Sequence, residues 1–107
     1  MYVQVVTSID DENAAEGIAQ ILVEERLAAC VQISSAVLSV YRWEGEVKKA
    51  FEFVVCAKTR ADLASAVQDR IIALHEYRTP EVLILPVQGG CDSYLDWITA
   101  QTVLEKL

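Results

Sequence analysis

Residues 27–59, LAACVQISSAVLSVYRWEGEVKKAFEFVVCAKT, are the stretch that decides the fold of this 107-residue chain. Two arms rich in Val, Ile, Tyr, Trp and Phe, which are residue types enriched in β-strands, meet at Glu44-Gly45. Gly45 supplies the backbone freedom that a tight hairpin turn needs. Each arm can reach about 13 residues, against about five or six in a usual strand. A hairpin this long is expected to extend past the helices of one small domain, and another copy of the chain is expected to cover its far end.

The segment before the hairpin supplies one strand and one helix. Residues 2–7 alternate as a short strand, in which Val3, Val5 and Thr7 share one face. Residues 12–26 show the i, i+3, i+4, i+7 apolar spacing of an amphipathic helix. Asp10 or Asp11 is placed to cap the start of that helix.

The segment after the hairpin supplies a helix, a strand and a final helix. Thr59 and Asp62 have the spacing of a capping box, and the helix that follows is predicted to end near His75. Residues 81–87, EVLILPV, are an apolar strand. Pro86 in this strand has no backbone N–H to donate, which favours a place at the edge of a sheet. Asp92 or Ser93 begins the last helix. Its predicted buried side consists of Tyr94, Leu95, Trp97 and Ile98.

The order β-α-β-β-α-β of the first six segments predicts an α+β, ferredoxin-like sandwich with both helices on one face of an antiparallel sheet. Right-handed crossovers place the first and third strands in the centre of that sheet. Alternate residues of the third strand are predicted to face the helices: Phe51, Phe53, Val55 and Ala57. The remaining residues lie on the bare face, which is the predicted subunit contact: Glu52, Val54, Cys56 and Lys58.

The composition favours a homo-oligomer over a single apolar core. The length is that of one domain, taken as residues 1–107. Hydrophobic residues make up 53% of the chain, above the usual range for a globular protein. Yet no segment offers the roughly 18 consecutive apolar residues of a membrane span. The excess apolar surface is therefore expected to be buried between copies of the chain.

Charge and cysteine content narrow the class of partner. The net charge of −7, with Lys48-Lys49 as the nearest approach to a basic cluster, argues against nucleic acid and anionic membranes. An acidic surface does concentrate cations. The first residues lack the features of a signal peptide, so a cytoplasmic location is predicted. The three cysteines, Cys30, Cys56 and Cys91, form no CxxC pair, and core packing is favoured over metal or redox chemistry.

The candidate site is the segment HEYRTPE at residues 75–81. His75, Glu76 and Glu81 combine one imidazole with carboxylates, a donor set that suits a divalent ion such as copper or zinc. A complete set of ligands would need water or a neighbouring subunit. The alternative is that His75 only ends a helix and Glu81 only begins a strand.

Other functional classes have less support in the sequence. No serine lies in a nucleophile elbow, and neither a P-loop nor a GxGxxG motif occurs, so the chain is predicted not to be an enzyme. Trp43, at the hairpin tip, would expose a large aromatic side chain to solvent in a single chain. Packed beside residues 75–81 of another subunit, it would help to form a pocket between chains. Packing in a core or an interface is the alternative role for the aromatic side chains.

These segments together resemble the CutA divalent-cation-tolerance family. The matching segments are residues 25–31, Tyr41 with residues 43–45, Glu52 with residues 58–59, His75 with Tyr77 and residues 79–81, residues 85–87 and residues 94–98. The resemblance implies a ferredoxin-like subunit in a tight homotrimer, similar in build to the PII signalling proteins, with the hairpin reaching the next subunit. It also implies a link to tolerance of divalent metals, with copper binding in some members, and it brings no reaction.

Two departures from the family pattern affect the metal site. Members with a proposed copper site carry a cysteine and an additional histidine where this chain has Val6 and Leu74. Only His75 carries over, and Glu76 replaces the usual proline after it.

Two hypotheses follow from the sequence. The first is a cytoplasmic homotrimer that binds divalent cations, copper foremost, around His75, Glu76 and Glu81. The second is a PII-like signalling or scaffold module that holds a small anionic ligand in an inter-subunit cleft formed with Trp43, Lys58 and Tyr77.

Overall fold

A single antiparallel sheet organises residues 1–102, which are the residues that this computed structural model describes. Its strands are β1 (Tyr2–Ile9), β2 (Cys30–Ile33), β3 (Val37–Trp43), β4 (Glu46–Arg60) and β5 (Leu83–Val87). The helices are α1 (Glu12–Glu24), α2 (Ala64–Leu74) and α3 (Asp92–Gln101), and one 3-10 turn, Ala61–Leu63, precedes α2. None of the helices among the described residues is long and apolar enough to cross a membrane.

The strand order is β2-β4-β1-β5, and β3 pairs with the part of β4 that extends beyond β2. The two predicted central strands, β1 and β4, are the central strands of the sheet. The ferredoxin-like topology predicted from the element order is therefore confirmed. The proline-containing strand β5 pairs only with β1, so its place at the sheet edge is confirmed as well.

The core lies between one face of the sheet and the helices α1 and α2. Val3, Val5 and Thr7 of β1 are all buried, as predicted from their alternation. They pack with buried residues of β4 and the helices, which include Val55, Ala57, Ile18, Leu22, Val67 and Ile71. Burial of a large aliphatic side chain stabilises a fold by about 1.5–3 kcal/mol, so this cluster holds the two layers together.

The hairpin turn has the geometry that its sequence predicts. Trp43 pairs with Glu46, and the two residues between them have positive φ, 52° at Glu44 and 82° at Gly45. Two consecutive positive φ angles characterise a type I′ turn, which matches the twist of the flanking strands. Glycine adopts this backbone conformation without the steric penalty of a side chain.

The first arm of the hairpin is not the continuous strand that was expected. From Ile33 to Val37 the chain takes four steps, while β4 takes three, from Val55 to Glu52, so a β-bulge separates β2 from β3. Ser34 bridges the interruption. Its backbone N donates to Val54 O at 2.9 Å, and its Oγ accepts from Val54 N, also at 2.9 Å.

Three side chains that were predicted to be buried are exposed: Phe51, Tyr94 and Trp97. We call β3 together with residues 46–52 of β4 the outer hairpin. Phe51 is 66% exposed, because β4 pairs with β1 only from Phe53 onward and the outer hairpin extends beyond the helices. On α3, Tyr94 and Trp97 are 40% and 41% exposed and stack on each other at 5.5 Å between ring centres. Of the predicted buried side of α3, only Ile98 is fully buried.

The predicted capping box at Thr59 was also wrong. Thr59 lies within β4, and its hydroxyl donates to Leu27 O at 2.6 Å. Asp62 pairs with Arg60 at 2.8 Å, and α2 begins only at Ala64, after the 3-10 turn. Strand β4 thus includes Thr59, which the capping-box motif had placed at the start of the helix.

The helix cap of α1 falls on Asp11, one of the two predicted residues. Its Oδ1 accepts from the backbone N of Asn13 at 2.9 Å and of Ala14 at 3.2 Å. Asp11→Ala is expected to lower the free energy of unfolding by about 1 kcal/mol, because two helix-start donors lose their acceptor. Urea unfolding measures this. Asp10→Ala is the matched control, with a change within about 0.5 kcal/mol, and equal losses in the two variants would contradict the capping role.

Candidate functional site

His75, the residue that follows α2, is fixed by hydrogen bonds at both ring nitrogens. Its Nε2 lies 2.8 Å from the backbone oxygen of Ser8, and its Nδ1 lies 3.1 Å from the backbone N of Tyr77. A carbonyl only accepts and a backbone N–H only donates, so the ring is the neutral tautomer with the proton on Nε2. The ring also packs against that of Tyr77, 4.5 Å away and tilted by 60°.

Ser8 joins His75 to Glu81. Its hydroxyl donates to Glu81 Oε1 at 3.0 Å, while its carbonyl holds His75. Ser8 is buried at the end of β1, and the loop before β5 brings Glu81 to it from the other side. Glu76 is exposed and makes no hydrogen bond or ion pair with any of residues 1–102. Two of the three predicted metal ligands thus contact the same residue, His75 at the Ser8 carbonyl and Glu81 at the Ser8 hydroxyl.

Tyr77, in the loop after α2, makes a contact with β4 that sequence reasoning did not identify. Its hydroxyl donates to Glu52 Oε2 at 2.8 Å, and Glu52 is only 9% exposed. Burial, and then the hydrogen bond to the Glu52 carboxylate, raise the pKa of the Tyr77 phenol well above its ordinary range. The tyrosine stays neutral and serves as the donor that a buried carboxylate needs. The sequence signal was Glu52 itself, an acidic residue in an apolar strand that required a partner.

The donor atoms of the predicted metal site are not gathered into a ready coordination sphere. Among residues 1–102, no group of three or more His, Cys, Asp or Glu side chains is placed to hold a metal ion. The lone pair on Nδ1 of His75 already accepts a hydrogen bond from the backbone N–H of Tyr77. A metal at this nitrogen would have to displace that N–H. Val6 and Leu74, at the family's other proposed ligand positions, bring no donor atoms.

Two cavities flank this segment. One of about 310 Å³, which we call the aromatic cavity, is lined by seven residues: Asp10, Tyr41, Trp43, Ala50, Tyr77, Arg78 and Thr79. The other, of about 430 Å³, includes Ser8, Ser39, Glu52 and Glu81 in its lining, and we call it the acidic groove. Both lie between the hairpin and the loop that connects α2 to β5. The two carboxylates of the acidic groove come from residues that are 29 positions apart in the chain.

The three residues predicted to line one cleft are divided between two places. Trp43 and Tyr77 line the aromatic cavity. Lys58 lines a separate cavity of about 170 Å³ with Gly89, Gly90 and Tyr94, and its Nζ lies 5.9 Å from the Tyr94 ring centre. Trp43 pairs with the first residue of β4, about 40 Å along the strand from Lys58 at roughly 3.3 Å per residue. These two side chains can meet only if they belong to different subunits.

The sheet order, the helix layer on one face and the bulged hairpin define a ferredoxin-like α+β protein with a polar network at the start of its last strand. Comparison with protein families gives one match across residues 3–101, to the family described as CutA1 divalent ion tolerance protein. The chain belongs to the CutA family of divalent-cation-tolerance proteins.

Individual relatives agree with this assignment. The chain is 42% identical over 98 residues to the divalent-cation tolerance protein CutA of Thermus thermophilus, with 92% of this chain and 95% of that protein covered. It is 40% identical to the chloroplastic protein CutA of Arabidopsis thaliana, and there the match spans only 54% of the longer relative. A solved structure of the Thermus thermophilus protein superposes with a TM-score of 0.92 at 41% identity, over 96% of this chain and all of that one.

Proposed function

We propose that this chain acts in the cytoplasm as a homotrimer that binds divalent metal ions, with copper as the leading candidate, and that it serves tolerance of those ions. Membership of the divalent-cation-tolerance family carries the proposal. No reaction is assigned to it, because the matching family is named for tolerance of divalent ions and not for a reaction.

The case for a trimer rests on apolar surface that one chain leaves uncovered. Nine large apolar side chains of the outer hairpin and β5 are exposed: Val37, Leu38, Val40, Tyr41, Val47, Phe51, Leu83, Ile84 and Leu85. Exposure ranges from 38% at Val37 to 66% at Phe51. Exposed apolar side chains of this size and number are typical of an interface. The family resemblance supplies the number three.

The two exposed regions are suited to pack on different neighbours. The outer hairpin projects beyond the helix layer, whereas β5 lies at the opposite edge of the sheet. An interface in which the hairpin of one subunit packs on the β5 edge of the next joins two different surfaces and is therefore heterologous. Heterologous interfaces close into a ring when the rotation between subunits allows it. A ring of three subunits would bury the hairpin of each chain against the next.

The proposed metal ligands are His75, Glu76 and Glu81. Among residues 1–102, Glu76 makes no hydrogen bond or ion pair, and Glu81 bonds only the Ser8 hydroxyl. A metal at His75 Nδ1 would have to displace the Tyr77 N–H. Imidazole with carboxylate oxygen is a donor set that suits copper(II). The acidic groove beside Glu81, with the Glu52 carboxylate, favours an approaching cation, and a neighbouring subunit would complete the ligand set.

Copper titration by calorimetry tests the metal assignment. His75→Ala and Glu81→Gln are each expected to weaken copper binding at least about tenfold, the loss typical of a disturbed metal site. Asp69→Asn, an exposed change on α2, is the matched control and is expected to bind as the wild type does. Equal copper affinity in all four proteins, with the trimer intact by sedimentation, would remove the metal site and leave the trimer proposal standing.

A further inference from the structure

The aromatic cavity combines features that the metal proposal does not use. Tyr41 and Trp43 enter it from β3, and Tyr77 enters from the loop after α2. Asp10, in the turn before α1, brings a carboxylate to the same space. At about 310 Å³ the cavity falls within the range of small-molecule sites.

We propose that this cavity is an aromatic cage for a small organic cation of the alkylammonium class. The negative faces of aromatic rings attract a cation, and cages of aromatic rings recognise quaternary and methylated ammonium groups. A carboxylate beside the rings adds charge attraction for the same ligand. The inference does not involve the proposed metal ligands, because none of His75, Glu76 and Glu81 lines the cavity.

A cation from the protein itself already uses one face of the cage. The Arg78 guanidinium carbon lies 5.4 Å from the centre of the Trp43 ring, within cation–π distance. Its hold is weak, because the side chain is 77% exposed and its ion pair with Glu44 has a distance of 3.6 Å between two exposed groups. Arg78 thus marks the preferred charge of the occupant and can be displaced by it.

Other ligand classes fit the lining less well. The Tyr77 hydroxyl is committed to Glu52, so the ring rather than the hydroxyl is what this residue offers to a ligand. Asp10 enters no ion pair with any of residues 1–102, and its carboxylate repels anions. A hydrated divalent ion prefers several oxygen ligands, whereas this lining offers one carboxylate among aromatic rings.

Tetramethylammonium is the probe, and tryptophan indole N–H signals in NMR are the readout. The chain has two tryptophans, Trp43 in the cage and Trp97 on α3, so Trp97 is an internal control. Saturable shifts are expected at Trp43 and none at Trp97. tert-Butanol, a neutral molecule of similar shape, is expected to produce no saturable shift at matched concentration.

Charge variants make the assignment sharper. Arg78→Ala is expected to tighten tetramethylammonium binding about threefold to fivefold by removing the internal competitor. Arg42→Ala, a change in the hairpin next to Trp43, is the matched control and is expected to leave binding unchanged. Asp10→Asn is expected to weaken binding about fivefold to tenfold, and Asp69→Asn is its matched control.

Three results would overturn the cage. The first is the absence of a Trp43 shift in both the wild type and Arg78→Ala. The second is equal binding of tetramethylammonium and tert-butanol, which would make the cavity merely apolar. The third is weaker binding in Arg78→Ala together with a saturable shift from acetate, which would make Arg78 the anchor of an anion site.

Discussion

Phe51→Asp is expected to separate the proposed trimer into single chains. Phe51 is 66% exposed on one chain and lies opposite Leu38, which is 54% exposed, so the two form an apolar pair on the outer hairpin. If a neighbouring subunit covers this pair, an aspartate there places an unpaired charge in a dry interface. Loss of a central aromatic contact alone weakens an interface by about 2 kcal/mol or more, and the buried charge adds to that.

Ile72→Asp is the matched control for this change. Ile72 is also a large apolar residue, 47% exposed, but it lies on the outer surface of α2 rather than on the hairpin. The control is expected to keep the molar mass of the wild type in light scattering after gel filtration. Unchanged mass in Phe51→Asp, or dissociation in Ile72→Asp, would contradict the placement of the interface on the outer hairpin.

Tyr77→Phe is expected to lower the free energy of unfolding of each subunit by about 2 kcal/mol, because the variant leaves a buried carboxylate without its donor. Glu52 is 9% exposed, and the Tyr77 hydroxyl is its hydrogen-bond donor among the described residues. Tyr41→Phe is the matched control, since the Tyr41 hydroxyl makes no hydrogen bond within residues 1–102 and the ring is retained in both variants. Urea unfolding at neutral pH measures both changes, and equal stabilities in the two variants would contradict a structural role for the Glu52 contact.

The hydrogen bond between Tyr77 and Glu52 is also expected to make the free energy of unfolding depend on pH in the alkaline range. Burial and the Glu52 hydrogen bond raise the pKa of folded Tyr77 above its ordinary value near 10. Folding therefore favours the protonated phenol, and this stability is fully present below about pH 10 and lost as the pH rises above it. Urea unfolding from about pH 8 to about pH 11 is expected to show a steeper loss of stability in the wild type than in Tyr77→Phe. Parallel curves would show that Tyr77 is not the group responsible.

The sequence predicted those parts of the fold that depend on local chemistry. The alternation of Val3, Val5 and Thr7, the Asp11 cap and the Glu44-Gly45 turn each involve residues within a few positions of one another. Local rules are sufficient for such features, and together they gave the element order and hence the sheet topology.

The errors arose where burial or pairing depends on distant parts of the chain. Phe51 alternates correctly for the helix side, yet the helices end before they reach it. The bulge at Ser34 shifts the pairing by one residue, and only the register with β4 reveals it. Thr59 has a helix-cap sequence, but β4 extends through it and its hydroxyl goes to Leu27.

The candidate site was predictable as a segment but not as a set of contacts. His75 and Glu81 were chosen for their side-chain types, and both are at the network around Ser8. That His75 has both nitrogens engaged, and that Tyr77 pairs with Glu52 from 25 residues away, depends on the folded arrangement of β1, β4 and the loop after α2. Asp10 enters the aromatic cavity for the same reason.

Sedimentation equilibrium of the wild-type protein tests most directly whether copies of this chain cover one another's hairpins. A single species of three times the 11.9 kDa chain mass, persisting on dilution, is the expected result. A stable, folded species of 11.9 kDa at every concentration would mean that the exposed apolar hairpin needs no partner, and would contradict the trimer.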